Sequence, residues 1–136
     1  SLLGGVVLDG RIDRIDDQPA SGMRQLIDYK TGSLQALKRK VATPLEDTQL
    51  AFYAALLGDG GPLRAIYLAL DDRKQPQAVE HPDVQASATA LVEGLAHDLA
   101  RLREGAGLPA LGEGSTCDYC EARGLCRRDH WGEVAT

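Results

Sequence analysis

The chain contains no apolar run near the about 20 residues that span a bilayer, and no basic-then-apolar leader before a small-residue cleavage site. Both absences point away from membrane and secretory routes. Basic excess is also missing: 15 Lys and Arg face 20 Asp and Glu, for a net charge of −5 and a pI near 5.1. That sign argues against nucleic-acid binding through a broad basic surface. Cysteine is absent from all but the tail, where Cys117, Cys120 and Cys126 lie together. An odd, clustered set of thiols fits a reducing compartment better than a secreted disulfide scaffold, so the expected location is cytoplasmic. The chain begins Ser1-Leu2-Leu3 without an initiator methionine, and no histidine precedes position 81.

The 136 residues suffice for one domain with a single core, and 43% hydrophobic with 26% charged residues is ordinary globular usage. Alternation predicts a strand from Val6 to Ile15 and a second near Arg24 to Tyr29, followed by a polar linker through Thr43-Pro44. Leu50, Phe52, Tyr53, Ala54, Leu56 and Leu57 predict a helix over 45–57, ended by Gly58, Gly60 and Gly61. Leu63 to Leu70 reads as a core strand, with a surface turn at Asp71-Asp72-Arg73-Lys74. A longer helix follows, capped by Asp83 and carrying a stripe of Val84, Ala88, Leu91, Val92, Leu95, Leu99 and Leu102 until Gly105 and Gly107. The segment 71–82 suggests no further element. The order is β-β-α-β-α, an α/β fold.

Chemistry concentrates in the first two strands. Asp28 and Lys30 are two residues apart, so on a strand they project from one face. Asp17-Gln18-Pro19-Ala20-Ser21-Gly22 favours tight reversal, so the strands should form an antiparallel hairpin that brings Asp13 to Asp28. Paired carboxylates are hard oxygen ligands suited to Mg²⁺ or Mn²⁺. A lysine beside such an ion can orient an attacking water and offset charge on a phosphoryl oxygen. A bare D-x-K triplet is more often a solvated surface pair, so the longer context decides.

That context is Gly10-Arg11-Ile12-Asp13, then Ile27-Asp28-Tyr29-Lys30-Thr31-Gly32, then Gln49-Leu50-Ala51-Phe52-Tyr53. Together they resemble the PD-(D/E)XK nucleases of RecB and AddB type. The resemblance implies a mixed central sheet flanked by helices, the restriction-endonuclease-like core. It places Asp13 and Asp28 as metal-binding aspartates and Lys30 as the catalytic lysine, with the Tyr29 carbonyl as a further metal ligand. It also places Gln49 and Tyr53, which share a helix face, over the active site to position the substrate strand. In this branch a helix precedes the first strand and carries a metal-site histidine; here neither can be assigned, and that helix is expected to be absent. The implied activity is Mg²⁺- or Mn²⁺-dependent exonuclease action on DNA, with a helicase domain or subunit as partner, in double-strand-break repair.

The cysteines form C-x2-C-x5-C, a spacing that lets a turn aim several sulfurs at one centre. In AddB-like nucleases such a triplet resembles three ligands of a 4Fe-4S cluster whose fourth ligand is an upstream cysteine, and this chain has none. Three readings stay open: a ligand lost by truncation, the first choice; substitution by His130, which would equally make a four-ligand zinc site; or no metal. Lys38-Arg39-Lys40 and Arg127-Arg128 are short basic clusters that could hold phosphates, though solvated ends are the commoner reading. Trp131 reads as a packing residue. The expected division is a nuclease core over 1–112 and a cysteine tail over 113–136. Two other classes remain in view: a non-catalytic DNA-binding scaffold with this core, and a zinc-binding interaction module.

Overall fold

A computed structural model of the protein describes residues 2–3, 5–43, 45–58, 61–70, 75–108, 117 and 120–126. The turn at 71–74, Arg127-Arg128, His130 and Trp131 lie outside the described residues. The chain divides into two compact units, Ser1–Leu99 and Ala100–Thr136.

The first unit is built on a four-stranded mixed sheet in the order β3-β4-β5-β6. A short hairpin of β1 (Leu2–Leu3) and β2 (Val6–Val7) precedes it. β3 (Arg14–Gln18) and β4 (Met23–Lys30) form the expected antiparallel hairpin, with Arg14 opposite Ile27 and Gln18 opposite Met23. Its turn closes through the amides of Ser21 and Gly22 onto the Gln18 carbonyl, and Gly22 takes φ of +65°, a region that favours glycine. β4 then pairs in parallel with β5 (Leu63–Ala69), which sets Asp28 opposite Tyr67 and Lys30 opposite Ala69. β6 (Gln77–Glu80) closes the sheet antiparallel to β5.

Parallel pairing requires a crossover, and two helices supply it: α1 (Leu34–Ala42) and α2 (Gln49–Leu57). α3 (Val84–Arg103) follows β6, and the short α4 (Arg123–Cys126) lies in the second unit. One face of the sheet carries the core. Leu26, Ala65, Tyr67, Ala69 and Val79 pack with Leu37 of α1, Leu50 and Ala54 of α2, and Val84 and Ala88 of α3. Leu26, Ala65 and Tyr67 are fully buried. The mixed sheet with flanking helices is the architecture expected from the sequence.

Four expectations need correction. The first strand is not continuous: residues 8–13 leave the ladder between β2 and β3. The cause is visible at Gly10, where any Cβ would lie 2.9 Å from Leu56 and 3.3 Å from Phe52 of α2, so the chain here runs against a helix instead of a strand. The polar linker contains α1. Ser33 caps it by accepting from the Ala36 amide, and Leu34, Leu37 and Val41 form its apolar stripe. α2 begins at Gln49, four residues later than expected, because Leu45 adopts φ of +64°, outside helical space. Finally, 71–82 holds β6, whose one buried strand residue, Val79, gave too short a pattern to read. By contrast, Asp83 does cap α3 through the Ala86 amide.

Candidate active site

The site forms where the apolar face of the sheet turns polar, at the C-terminal end of β4. Strand alternation continues the buried position of Leu26 into Asp28 and then Lys30. Asp28 is only 2% exposed. A carboxylate so placed is costly unless paired, and α2 and Lys30 supply the partners. Lys30 Nζ lies 2.7 Å from Asp28 Oδ2. The Gln49 amide bridges the two: its Nε2 donates to Asp28 Oδ1 at 2.8 Å, and its Oε1 accepts from Lys30 Nζ at 2.8 Å. The second Nε2 proton goes to Tyr53 Oη at 3.1 Å, one turn along α2.

The amide therefore has one sensible orientation, oxygen toward the cation and nitrogen toward the carboxylate. It also has no donor left over. Its hydrogen bonds go to Asp28, Lys30 and Tyr53, so the Gln49 side chain bridges carboxylate and ammonium.

Asp13 stands one residue before β3 rather than on a strand, but the hairpin register still carries it toward Asp28. Its Oδ2 accepts from the Tyr29 backbone amide at 3.1 Å. Asp13 is exposed, and its Oδ1 has no partner among the described residues.

A hard divalent cation fits this donor set on one observation above all. Asp28 Oδ2 is buried yet makes no hydrogen bond. Its close contact is the ion pair with Lys30 at 2.7 Å, and a carboxylate oxygen so paired still has a further lone pair to offer a cation. Oxygen ligands of this kind suit Mg²⁺ and Mn²⁺. Asp28, Asp13 and the Tyr29 carbonyl are the residues that would hold the ion. No group of three or more His, Cys, Asp and Glu side chains converges anywhere among the described residues, and this site offers two carboxylates and a backbone carbonyl.

That statement bears on the cysteines. Cys117, Cys120 and Cys126 form no disulfide, Cys120 exposed and the others half-buried, and among the described residues they do not gather into a ligand cluster. The fold of this segment is local: the Cys120 amide bonds the Cys117 carbonyl, and the Cys126 amide bonds that of Ala122. The three sulfurs as placed do not fit an iron-sulfur cluster or a zinc ion. His130 lies outside the described residues.

Around the site runs a second set of contacts that sequence reasoning missed. Asp47 Oδ1 accepts from Tyr67 Oη at 2.6 Å and from the Gln49 amide at 3.1 Å, and its Oδ2 accepts from Lys40 at 2.7 Å. Burial would raise the Asp47 carboxyl, but the bonds from Lys40, Tyr67 and Gln49 outweigh it and hold the group below its ordinary value. Burial, with Asp47 beside it, pushes the Tyr67 phenol far above the usual tyrosine range. Lys40, one of the three basic residues of α1 considered for phosphate contact, is thus committed to Asp47. A signal for Asp47 was present, an Asp two residues before a helix start, but nothing local announces its pairing with Tyr67.

Comparison with protein families places this geometry. The chain matches the PD-(D/E)XK nuclease superfamily over residues 2–127, nearly its whole length, and it belongs to that superfamily. Searches of curated proteins and of solved structures find no match. No helix among the described residues is long and apolar enough to cross a membrane.

Proposed function

We propose that this protein is a divalent-metal-dependent deoxyribonuclease that hydrolyses phosphodiester bonds, with Asp13, Asp28 and Lys30 at its centre. The observation that carries the reading is the Asp28 carboxylate: buried, clamped by Gln49, set beside Lys30, and retaining one oxygen without a hydrogen bond. A scaffold relieved of catalysis would have little reason to retain a buried acid on these terms.

Asp28 and Asp13, with the Tyr29 carbonyl, would hold Mg²⁺ or Mn²⁺. Once bound, the ion lowers the pKa of a coordinated water and offsets negative charge on the phosphoryl group. Lys30 donates toward the attacking water or the phosphoryl oxygen, its ammonium kept in place by Gln49 Oε1. Gln49 fixes the plane of the Asp28 carboxylate, and Tyr53 fixes Gln49. The resemblance to RecB- and AddB-type enzymes supports exonuclease action with a helicase partner in double-strand-break repair, in the cytoplasm.

The test is cleavage of labelled single- and double-stranded DNA by the full natural chain with Mg²⁺ or Mn²⁺, beside Asp28→Asn and Lys30→Ala. Metal-dependent cleavage by the wild type alone is expected. A folded, metal-supplied wild type that leaves both substrates intact would sink the catalytic reading and favour a DNA-binding scaffold.

A further inference from the structure

Tyr67 is fully buried at the centre of the sheet, directly opposite Asp28. Its ring lies beneath two ammonium groups, with Lys30 Nζ 5.4 Å and Lys40 Nζ 6.0 Å from the ring centroid. Both cations lie over the one ring, but they have different anions. Lys30 is paired with Asp28, and Lys40 with Asp47.

We infer that Asp47 and Tyr67 are positioning residues for the proposed nuclease reaction, fixing the first turn of α2 to β5 so that the Gln49 amide is delivered onto Asp28 and Lys30. The contacts form a continuous relay. Tyr67, rigid in β5, donates its hydroxyl to Asp47 Oδ1. The same oxygen receives the Gln49 backbone amide, one of the donors a helix start leaves unsatisfied. Thr48, at the cap position itself, makes no side-chain cap bond, so Asp47 does that work. From the anchored backbone, the Gln49 side chain reaches both site residues.

The chemistry of each member fits its place. Asp47 receives three donors, two on Oδ1 and one on Oδ2, which a carboxylate accommodates without presenting a proton of its own. Lys40 supplies the countercharge this partly buried acid needs, so a second negative charge near Asp28 is neutralised locally. A phenol held protonated and a carboxyl held ionised keep the direction of the Tyr67 bond fixed. Such outer partners act on reaction geometry and not on the substrate directly.

This inference rests on the nuclease reading, and the experiment separates the two. Tyr67→Phe removes one hydroxyl from a buried ring and keeps its volume. In the full natural chain with Mg²⁺ and labelled DNA, kcat is expected to fall roughly 10–100-fold with KM for DNA unchanged, the range typical of outer-shell partners. Asp47→Ala should show the same loss. Asp47→Asn, which keeps an acceptor for Tyr67 and Gln49, should recover part of it. In a Gln49→Ala background Tyr67→Phe should cost nothing further, because its route to the site is gone. An activity-independent readout is the ¹⁵N side-chain amide signal of Gln49, assigned by Gln49→Ala. It should shift and exchange faster with water in Tyr67→Phe.

Wild-type kcat in a folded Tyr67→Phe, an unmoved Gln49 signal, or costs that multiply in the Gln49→Ala background would each overturn the inference. Should Tyr67→Phe not fold, the Asp47 pair of variants decides by the same criteria. Absence of cleavage by the wild type overturns the nuclease reading and with it the reaction this pair serves. The Gln49 signal then still decides whether Tyr67 holds that amide.

Discussion

The end of β4 and the cysteine segment were both marked by chemically suggestive spacing, Asp-x-Lys in one and C-x2-C-x5-C in the other, yet they differ in what surrounds them. At β4 the polar side chains are met from other elements: Asp28 and Lys30 by Gln49 of α2, Asp13 by the Tyr29 amide, and Asp47 by β5 and α1 together. In the cysteine segment the described backbone hydrogen bonds are turns within the segment, and among the described residues the thiols do not converge. Spacing puts residues on a common face or turn, but a site needs a second element to fix them. The β4 region has that element in α2, which is itself anchored by Leu50 and Ala54 in the core.

The comparison sharpens most at Asp28. Asp28→Asn keeps the shape but removes the charge, and should lower metal-dependent cleavage by at least about a hundredfold, read as initial rates at saturating Mg²⁺. A rate within a few-fold of wild type would break the claim that this end of the sheet is the chemically active one. Next in size is the anchor. Leu50→Ala empties a position only 1% exposed, with an expected cost of about 2–5 kcal/mol in urea unfolding. A cost below that range would mean α2 is held mainly by its polar contacts.

A smaller effect follows from His81, buried near the end of β6 with Nδ1 accepting from the Asp83 amide. Burial lowers its pKa despite the opposing influence of Asp83 and Asp47. A histidine depressed in the folded state binds fewer protons than its unfolded counterpart. Its stabilising contribution is therefore present above the unfolded value near 6.5 and is lost as pH falls below it toward the folded value. Unfolding midpoints should drop on acidification through that window, and His81→Gln should flatten the dependence. The smallest effect is expected in the tail. Serine at Cys117, Cys120 and Cys126 together should leave the cleavage rate unchanged. Stoichiometric iron in the wild type that disappears in this variant would overturn the contrast between the two regions.

How much of this was legible in the sequence depended on whether the cause was local. The β3–β4 hairpin, β5, and α3 with its Asp83 cap each rest on short-range pattern and turn chemistry, and they stand as expected apart from the interruption at 8–13. That interruption is a tertiary effect, a glycine pressed against Leu56 and Phe52. α1 was obscured because its charged residues, Lys38, Arg39 and Lys40, dilute a stripe of three apolar ones. In the site, the Asp-x-Lys face and the Gln49–Tyr53 spacing were readable because alternation and the helical turn fix them. The pairing of Tyr67 with Asp47 was not, since it joins a strand and a loop distant in sequence.

The parallel pairing of β4 with β5 has a consequence for how the protein comes into being. The β3–β4 hairpin can close on the microsecond scale from adjacent residues. The Asp28 seat, however, needs Tyr67 beside it and Gln49 above it, and both arrive only when the α1–α2 crossover has docked and its loop-closure entropy has been met. A partly synthesised or partly unfolded chain thus carries the Asp-x-Lys strand without the clamp that aligns it. Assembly of the site and completion of the fold therefore fall together, and the Asp-x-Lys strand gains its alignment only in the finished chain.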